Sequence, residues 1–155
     1  FLPSVPEFPS QSAKINHSEA QLTARLAAAV YRQYEASGSG FHSALTLGVI
    51  TPYRSQIALI KREIAALGIP VLNDILVDTV ERFQGSERDV IIYSFCVNRT
   101  YQLKFLANLT EEKGVWIDRK LNVALTRARK QLFMTGVPHL LRKNPIYADL
   151  LDTVL

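Results

Sequence analysis

Ala44-Leu45-Thr46-Leu47-Gly48-Val49-Ile50 runs without a charge into Thr51-Pro52-Tyr53-Arg54-Ser55-Gln56. A continuous apolar run of this length reads as a strand buried on both faces, because a half-buried strand would alternate. Thr51-Pro52 breaks the run. A threonine before a proline at the first helical position suits a helix cap. Ile57, Ile60, Ile64 and Leu67 then recur as a helical stripe, which Gly68 and Pro70 stop. Strand, breaker and amphipathic helix together form the repeating unit of an α/β domain with a parallel sheet.

The alternation continues on both sides of this stretch. Upstream, Ser18 with Gln21 makes a capping-box pattern, and Leu22, Leu26, Val30 and Tyr34 form one apolar face. Ser37–Gly40 then closes that helix as a loop. Residues 1–14, rich in Pro and Ser, read as an irregular lead-in, so the domain is expected over 15–155. Downstream, Ile75–Val77 is a short strand ending near Thr79. The polar stretch Glu81–Asp89 leads into the β-branched and aromatic run Val90–Phe95. Residues 97–117 read as irregular. A helix is expected over Asp118–Arg129, facing the core with Leu121, Ala124, Leu125 and Ala128. Gln131–Thr135 is a further strand, Pro138 opens a helix, and Asn144-Pro145 precedes the last one.

Composition excludes several classes. The chain has 155 residues, 48% of them hydrophobic and 21% charged, which is globular rather than disordered usage. A single cysteine, Cys96, leaves no intrachain disulfide and fits a reducing compartment, cytoplasmic or nuclear. No apolar run approaches the roughly 20 residues needed to cross a bilayer. The chain opens on Phe1 rather than Met, the expectation for a piece of a longer protein. Eighteen Lys and Arg against 14 Asp and Glu give a net charge of +4, a mild pull toward anionic partners.

Three segments carry chemistry, and all three are expected beyond the carboxyl ends of strands, where such sheets bind ligands. Arg119–Lys130 holds five basic residues and no acidic one, with Lys120 and Arg127 on one flank of the helix. A guanidinium held there offers the donors a phosphate requires, although a solvated basic face is the plainer reading. In Val77–Ile91, Gln84 and Glu87 flank a turn at Gly85 that would bring backbone amides to a ligand; a surface turn is the alternative. At Thr51–Gln56, Tyr53 could stack on a base, or simply belong to the core.

Taken together and in this order, TPYRSQ, VDTVERFQGSERDVII and RKLNVALTRAR resemble motifs IV, V and VI of superfamily 1 helicases. The resemblance covers about residues 15–142. It is strongest to the 5′-to-3′ subgroup of the nonsense-mediated-decay RNA helicase and the replication helicase-nuclease. It implies a three-layer RecA-like domain, the second of two that form a motor. ATP and Mg²⁺ would bind between the domains, and single-stranded DNA or RNA would cross both. By motif position, Arg127 matches the family's arginine finger, Glu87 a ribose-recognising acid, and Gln84 and Gly85 the element coupling nucleotide to strand. Thr51, Tyr53, Gln56 and Thr79 match positions near the nucleic-acid path. Lys120 stands where the family commonly has arginine. The phosphate-loop pattern G-x-x-x-x-G-K-[ST] does not occur in the chain. The resemblance therefore places the phosphate-cradling lysine and the Mg²⁺ carboxylate in an upstream first domain, and a linked nuclease domain is compatible with it. Two other classes stay open: a non-hydrolytic single-strand-binding module and a partner-docking domain on the same fold.

Overall fold

A computed structural model describes residues 1–7, 13–106, 109–112 and 115–154. Parts of the expected lead-in and of the irregular 97–117 stretch lie outside the described residues. In chain order the elements are β1 (Leu2–Pro3), α1 (His17–Ala36), β2 (Leu47–Ile50), α2 (Arg54–Ala65), β3 (Leu76–Asp78), β4 (Arg88–Ser94), α3 (Leu103–Leu106), β5 (Leu109–Glu112), β6 (Val115–Asp118), α4 (Arg119–Arg127), β7 (Ala128–Gly136), α5 (Pro138–Leu141) and α6 (Pro145–Val154). Five strands form a parallel sheet in the order β1-β7-β4-β2-β3. β5 and β6 pair separately as an antiparallel hairpin.

Alternate residues of the central strands feed two cores. Leu47, Val49, Val77, Val90 and Ile92 face α1 and α2, while Ile50, Ile91, Tyr93 and Met134 face α4, α5 and α6. The result is the three-layer α/β domain that the sequence predicts. Ile91 and Ile92 are fully buried on opposite faces. Each such side chain contributes roughly 1.5–3 kcal/mol by leaving water.

Several local expectations are corrected. The stretch 97–117, expected to be irregular, carries α3 and most of the β5–β6 hairpin. The lead-in contains a strand: Leu2 and Pro3 pair in parallel with Thr135 and Gly136, and Ser4 N donates to Gly136 O at 2.7 Å. Helix α1 is capped by Asn16, whose Oδ1 accepts from Glu19 N at 2.9 Å, not by Ser18. Its buried face runs through Ala20, Ala24 and Ala27, small residues that bring the helix close to the sheet, while Leu22 and Leu26 flank it. Helix α4 ends at Arg127, and Ala128–Lys130 already belong to β7.

The connection from β3 to β4 crosses one face of the sheet as a 3₁₀ turn, Val80–Phe83. Phe83 is fully buried over β2 at Gly48, where a Cβ would stand 2.6 Å from Phe83 Cε1. Glycine is required there by this close approach.

Candidate functional site

The residues singled out by sequence fall at two opposite ends of the sheet. This corrects the expectation that all three segments lie beyond the carboxyl ends. Gln84, Gly85, Glu87 and Arg127 gather at the amino ends of β4 and β7. Thr51, Tyr53 and Thr79 line a cleft at the carboxyl ends of β2 and β3.

At the amino end, the turn after Phe83 closes through Ser86 N to Phe83 O (3.0 Å), with Gly85 in the left-handed region at φ +72°. Gln84 and Glu87 are exposed. Arg88 fixes the turn: its Nη1 donates to Ser86 Oγ (2.7 Å) and to the Glu87 carbonyl (2.9 Å). Its guanidinium lies 5.7 Å from the Phe83 ring centroid. Burial and the neighbouring Arg129 charge lower the Arg88 pKa. Arg88 is in register with Ala128, so Glu87 and Arg127, one residue earlier on each side, are neighbours at the amino end of the sheet.

A register shift between Arg88 and Val90 sets one residue of β4, Asp89, against two of β7, Arg129 and Lys130. Such a bulge re-aims consecutive side chains. Arg129 and Lys130 both reach Asp89, at 3.0 and 3.7 Å, and Arg129 Nη2 also donates to Leu45 O. Arg127 enters no ion pair among the described residues. Its Nη2 donates to Thr126 Oγ1 at 3.3 Å, while its Nε is buried with no hydrogen-bond partner. A buried donor on a permanent cation is costly to leave unsatisfied, on the order of 1–3 kcal/mol or more. An anion arriving from outside the chain would meet that demand.

At the carboxyl end, a cleft of about 350 Å³ is lined by Thr51, Tyr53, Thr79, Glu81, Tyr93 and Lys120, among others. Thr51 does not cap α2. Tyr53 holds the cap position without a side-chain bond, and Thr51 N donates instead to Asp78 O at 3.1 Å. Thr51 is fully buried and its Oγ1 has no partner. The Tyr53 hydroxyl accepts from Gln102 Nε2 at 3.1 Å, and Lys14 Nζ sits 5.9 Å from its ring centroid. Burial raises the Tyr53 pKa. Gln56 is turned inward: it is fully buried, accepting from Asn16 N (2.9 Å) and donating to Asn16 O (3.1 Å). It joins α2 to the start of α1 rather than lining the cleft.

Sequence reasoning had not placed Lys120 and Glu81 in this cleft. Lys120 lies in the first turn of α4, seven residues before Arg127, so the two share a flank, as its spacing predicts, yet stand at opposite ends of the sheet. The signal was available in Glu81, an acid two residues after Thr79. Lys120 Nζ lies 3.6 Å from Glu81 Oε1. Partial burial opposes ionisation of Glu81. Hydrogen bonds from its own amide and from Thr79, with the Lys120 charge, nevertheless hold its carboxyl below the usual range.

Behind the cleft lies a buried polar network. Glu19, fully buried, accepts from Ser94 Oγ (2.6 Å), Cys96 N (2.7 Å) and Ser4 Oγ (2.9 Å). Asn98 and Gln102 bind the backbone of Ala13 and Ile15. Together these fasten the N-terminal segment to the sheet.

A parallel five-stranded sheet between two helical layers defines a RecA-like α/β domain, here with Arg127 and its unpartnered Nε at one end and a polar cleft at the other. The family described as AAA domain (AAA_12) matches residues 5–139, and the chain belongs to it, as a superfamily 1 helicase domain. The chain is 37% identical over 110 residues (70% of its length) to Helicase sen1 of Schizosaccharomyces pombe. It is 34% identical over 108 residues (70%) to the DNA replication ATP-dependent helicase/nuclease JHS1 of Arabidopsis thaliana. It is 37% identical over 117 residues (71%) to RNA helicase Mov10l1 of Homo sapiens. The chain spans 6%, 7% and 9% of the length of these relatives, respectively. Among the described residues no helix is long and apolar enough to cross a membrane.

Proposed function

We propose that this chain is the second RecA-like motor domain of an ATP-dependent helicase that moves along single-stranded nucleic acid and opens duplexes. The observation that carries the reading is Arg127, a permanent cation with a buried, unpartnered Nε beside Glu87. These residues fit the outward-facing part of a nucleoside triphosphate whose phosphates are held by an upstream domain. ATP with Mg²⁺ supplies the free energy of phosphoryl transfer when bound. Arg127 presents charge to the phosphates, and its position at the end of a helix packed on the sheet keeps the guanidinium preorganised. Exposed Glu87 accepts from the ribose hydroxyls, and the Gln84-Gly85 turn joins that edge to the crossover from Thr79. Thr51, Tyr53 and Thr79 contact the strand through its backbone and by stacking, which suits either DNA or RNA.

The test uses the full-length protein. Arg127→Ala should lower ATP turnover by roughly 10³–10⁵-fold while nucleotide binding is retained. Turnover within a few-fold of wild type would overturn the assignment. The isolated chain should show no turnover of its own.

A further inference from the structure

Glu81 shares its cleft with groups that a strand phosphate would use. Lys120 Nζ stands 3.6 Å from its carboxylate, and Thr79, two residues earlier, lines the same cleft. The same cleft holds the Thr51 hydroxyl, fully buried and without a partner. One internal anion is therefore present where cationic and hydroxyl donors face an open volume, and one donor is left over. The ion pair is loose and half-exposed, 3.6 Å with Glu81 55% and Lys120 38% accessible. Exposed pairs of this kind hold together by at most about 1 kcal/mol, little enough for a phosphodiester to displace.

We infer that Lys120 is a further strand-phosphate contact and that Glu81 is an internal phosphate substitute which competes for it. When a strand enters, a phosphate takes Lys120 and the Thr79 hydroxyl, and Glu81 turns out to solvent. Without a strand, Glu81 keeps the lysine from being an unpaired cation in the cleft. This rests on the reading of Thr51, Tyr53 and Thr79 as strand contacts.

The two substitutions should act with opposite sign. Binding of a fluorescein-labelled oligo-dT and oligo-U to the full-length protein is followed by polarisation across a salt series. Lys120→Gln should weaken binding and reduce the slope of log K against log salt by about 0.7, the loss of one single-strand phosphate contact. Glu81→Gln should tighten binding about threefold at low salt, within the range of a released exposed ion pair. Asp74→Asn makes the same charge change ahead of β3, at the other end of the sheet, and should leave affinity nearly unaltered. In a Lys120→Gln background the gain from Glu81→Gln should vanish.

A gain from Glu81→Gln no larger than that from Asp74→Asn, or one that persists without Lys120, would overturn the competition. An unaltered salt slope in Lys120→Gln would overturn the contact. Tyr53→Ala separates this from the strand reading. If it weakens binding while the Glu81 and Lys120 variants do nothing, only the present inference fails. If it too leaves binding intact, the cleft is not the strand path.

Discussion

Glu87 and Arg127 each stand one residue before a register pair, Arg88 of β4 and Ala128 of β7, so two motifs 40 positions apart meet at one end of the sheet. Adjacent strands lie about 4.8 Å apart, which sets the spacing of the two backbones there. Arg88 stiffens the arrangement through Ser86 and the Glu87 carbonyl. Arg88→Ala should therefore loosen the turn that presents Glu87 without touching Arg127. The expected result in the full-length protein is a KM for ATP raised by about tenfold with kcat nearly kept. Steady-state ATPase kinetics measures this, and a loss confined to kcat would contradict it.

Thr51→Val should separate stability from binding. It removes a buried hydroxyl that has no partner within the domain, and an unsatisfied group of this kind costs about 1–3 kcal/mol. The variant should unfold at a temperature equal to or above wild type, yet bind a single strand more weakly. Thermal melts and strand polarisation, run on the same preparation, decide it. A variant both less stable and unaltered in binding would assign Thr51 to the fold alone.

Glu19 makes stability depend on pH. Burial raises its pKa from 4.5 to about 7, against the opposing bonds from Ser94, Ser4 and Cys96. Between those values the folded state binds more protons than the unfolded one, so stability falls as pH rises and the cost is fully expressed above pH 7. Its size is on the order of 3 kcal/mol. Glu19→Gln should flatten this part of the profile, with the largest gain over wild type at pH 8 and the smallest near pH 5. Urea unfolding at the two pH values provides the comparison.

Gly48→Ala tests the crossover. A Cβ at this position would stand 2.6 Å from Phe83, so either the ring or the β2 backbone must move. Overpacking of this sort costs about 1–3 kcal/mol. Phe83→Leu in the same chain should recover part of the loss, as read by the denaturation midpoint. Additive losses would show that the contact is not the cause.

The central strands and the flanking helices were legible because their signal is local: an apolar run such as Val90–Phe95 has no alternative to burial on both faces. What escaped depends on partners distant in sequence. Leu2-Pro3 has no strand signature and becomes one only because Thr135 and Gly136 offer a free edge. Asn16 displaces Ser18 as the cap of α1 because its other contacts, to Val5 O and Asn98 Oδ1, hold it in place. Of the expected α1 face, Val30 lies in the core and Leu26 and Tyr34 pack at its margin, but the line closest to the sheet is Ala20, Ala24 and Ala27, because close approach favours alanine. For the site, motif spacing singled out Arg127 and Glu87 but not which end of the sheet they occupy. That is decided by a helix running against the strand direction. Motif position groups Gln56 with Thr51 and Tyr53, yet the helix turn between them points it the other way, into Asn16.

The short strand β1 also determines where the sheet stops. A sheet edge is a template on which another chain can pair, and aggregation begins at such edges. Beyond β7 the outermost position is occupied by Leu2-Pro3, and Pro3 has no amide hydrogen to offer a further strand. The residues that add this strand to the sheet thus also blunt its outer side, and Ser4, one position on, ties the strand to Glu19 in the interior. A chain trimmed by only its first few residues would lose little of its hydrophobic core but would expose a pairing surface. Its first symptom would be self-association in concentrated solution rather than unfolding.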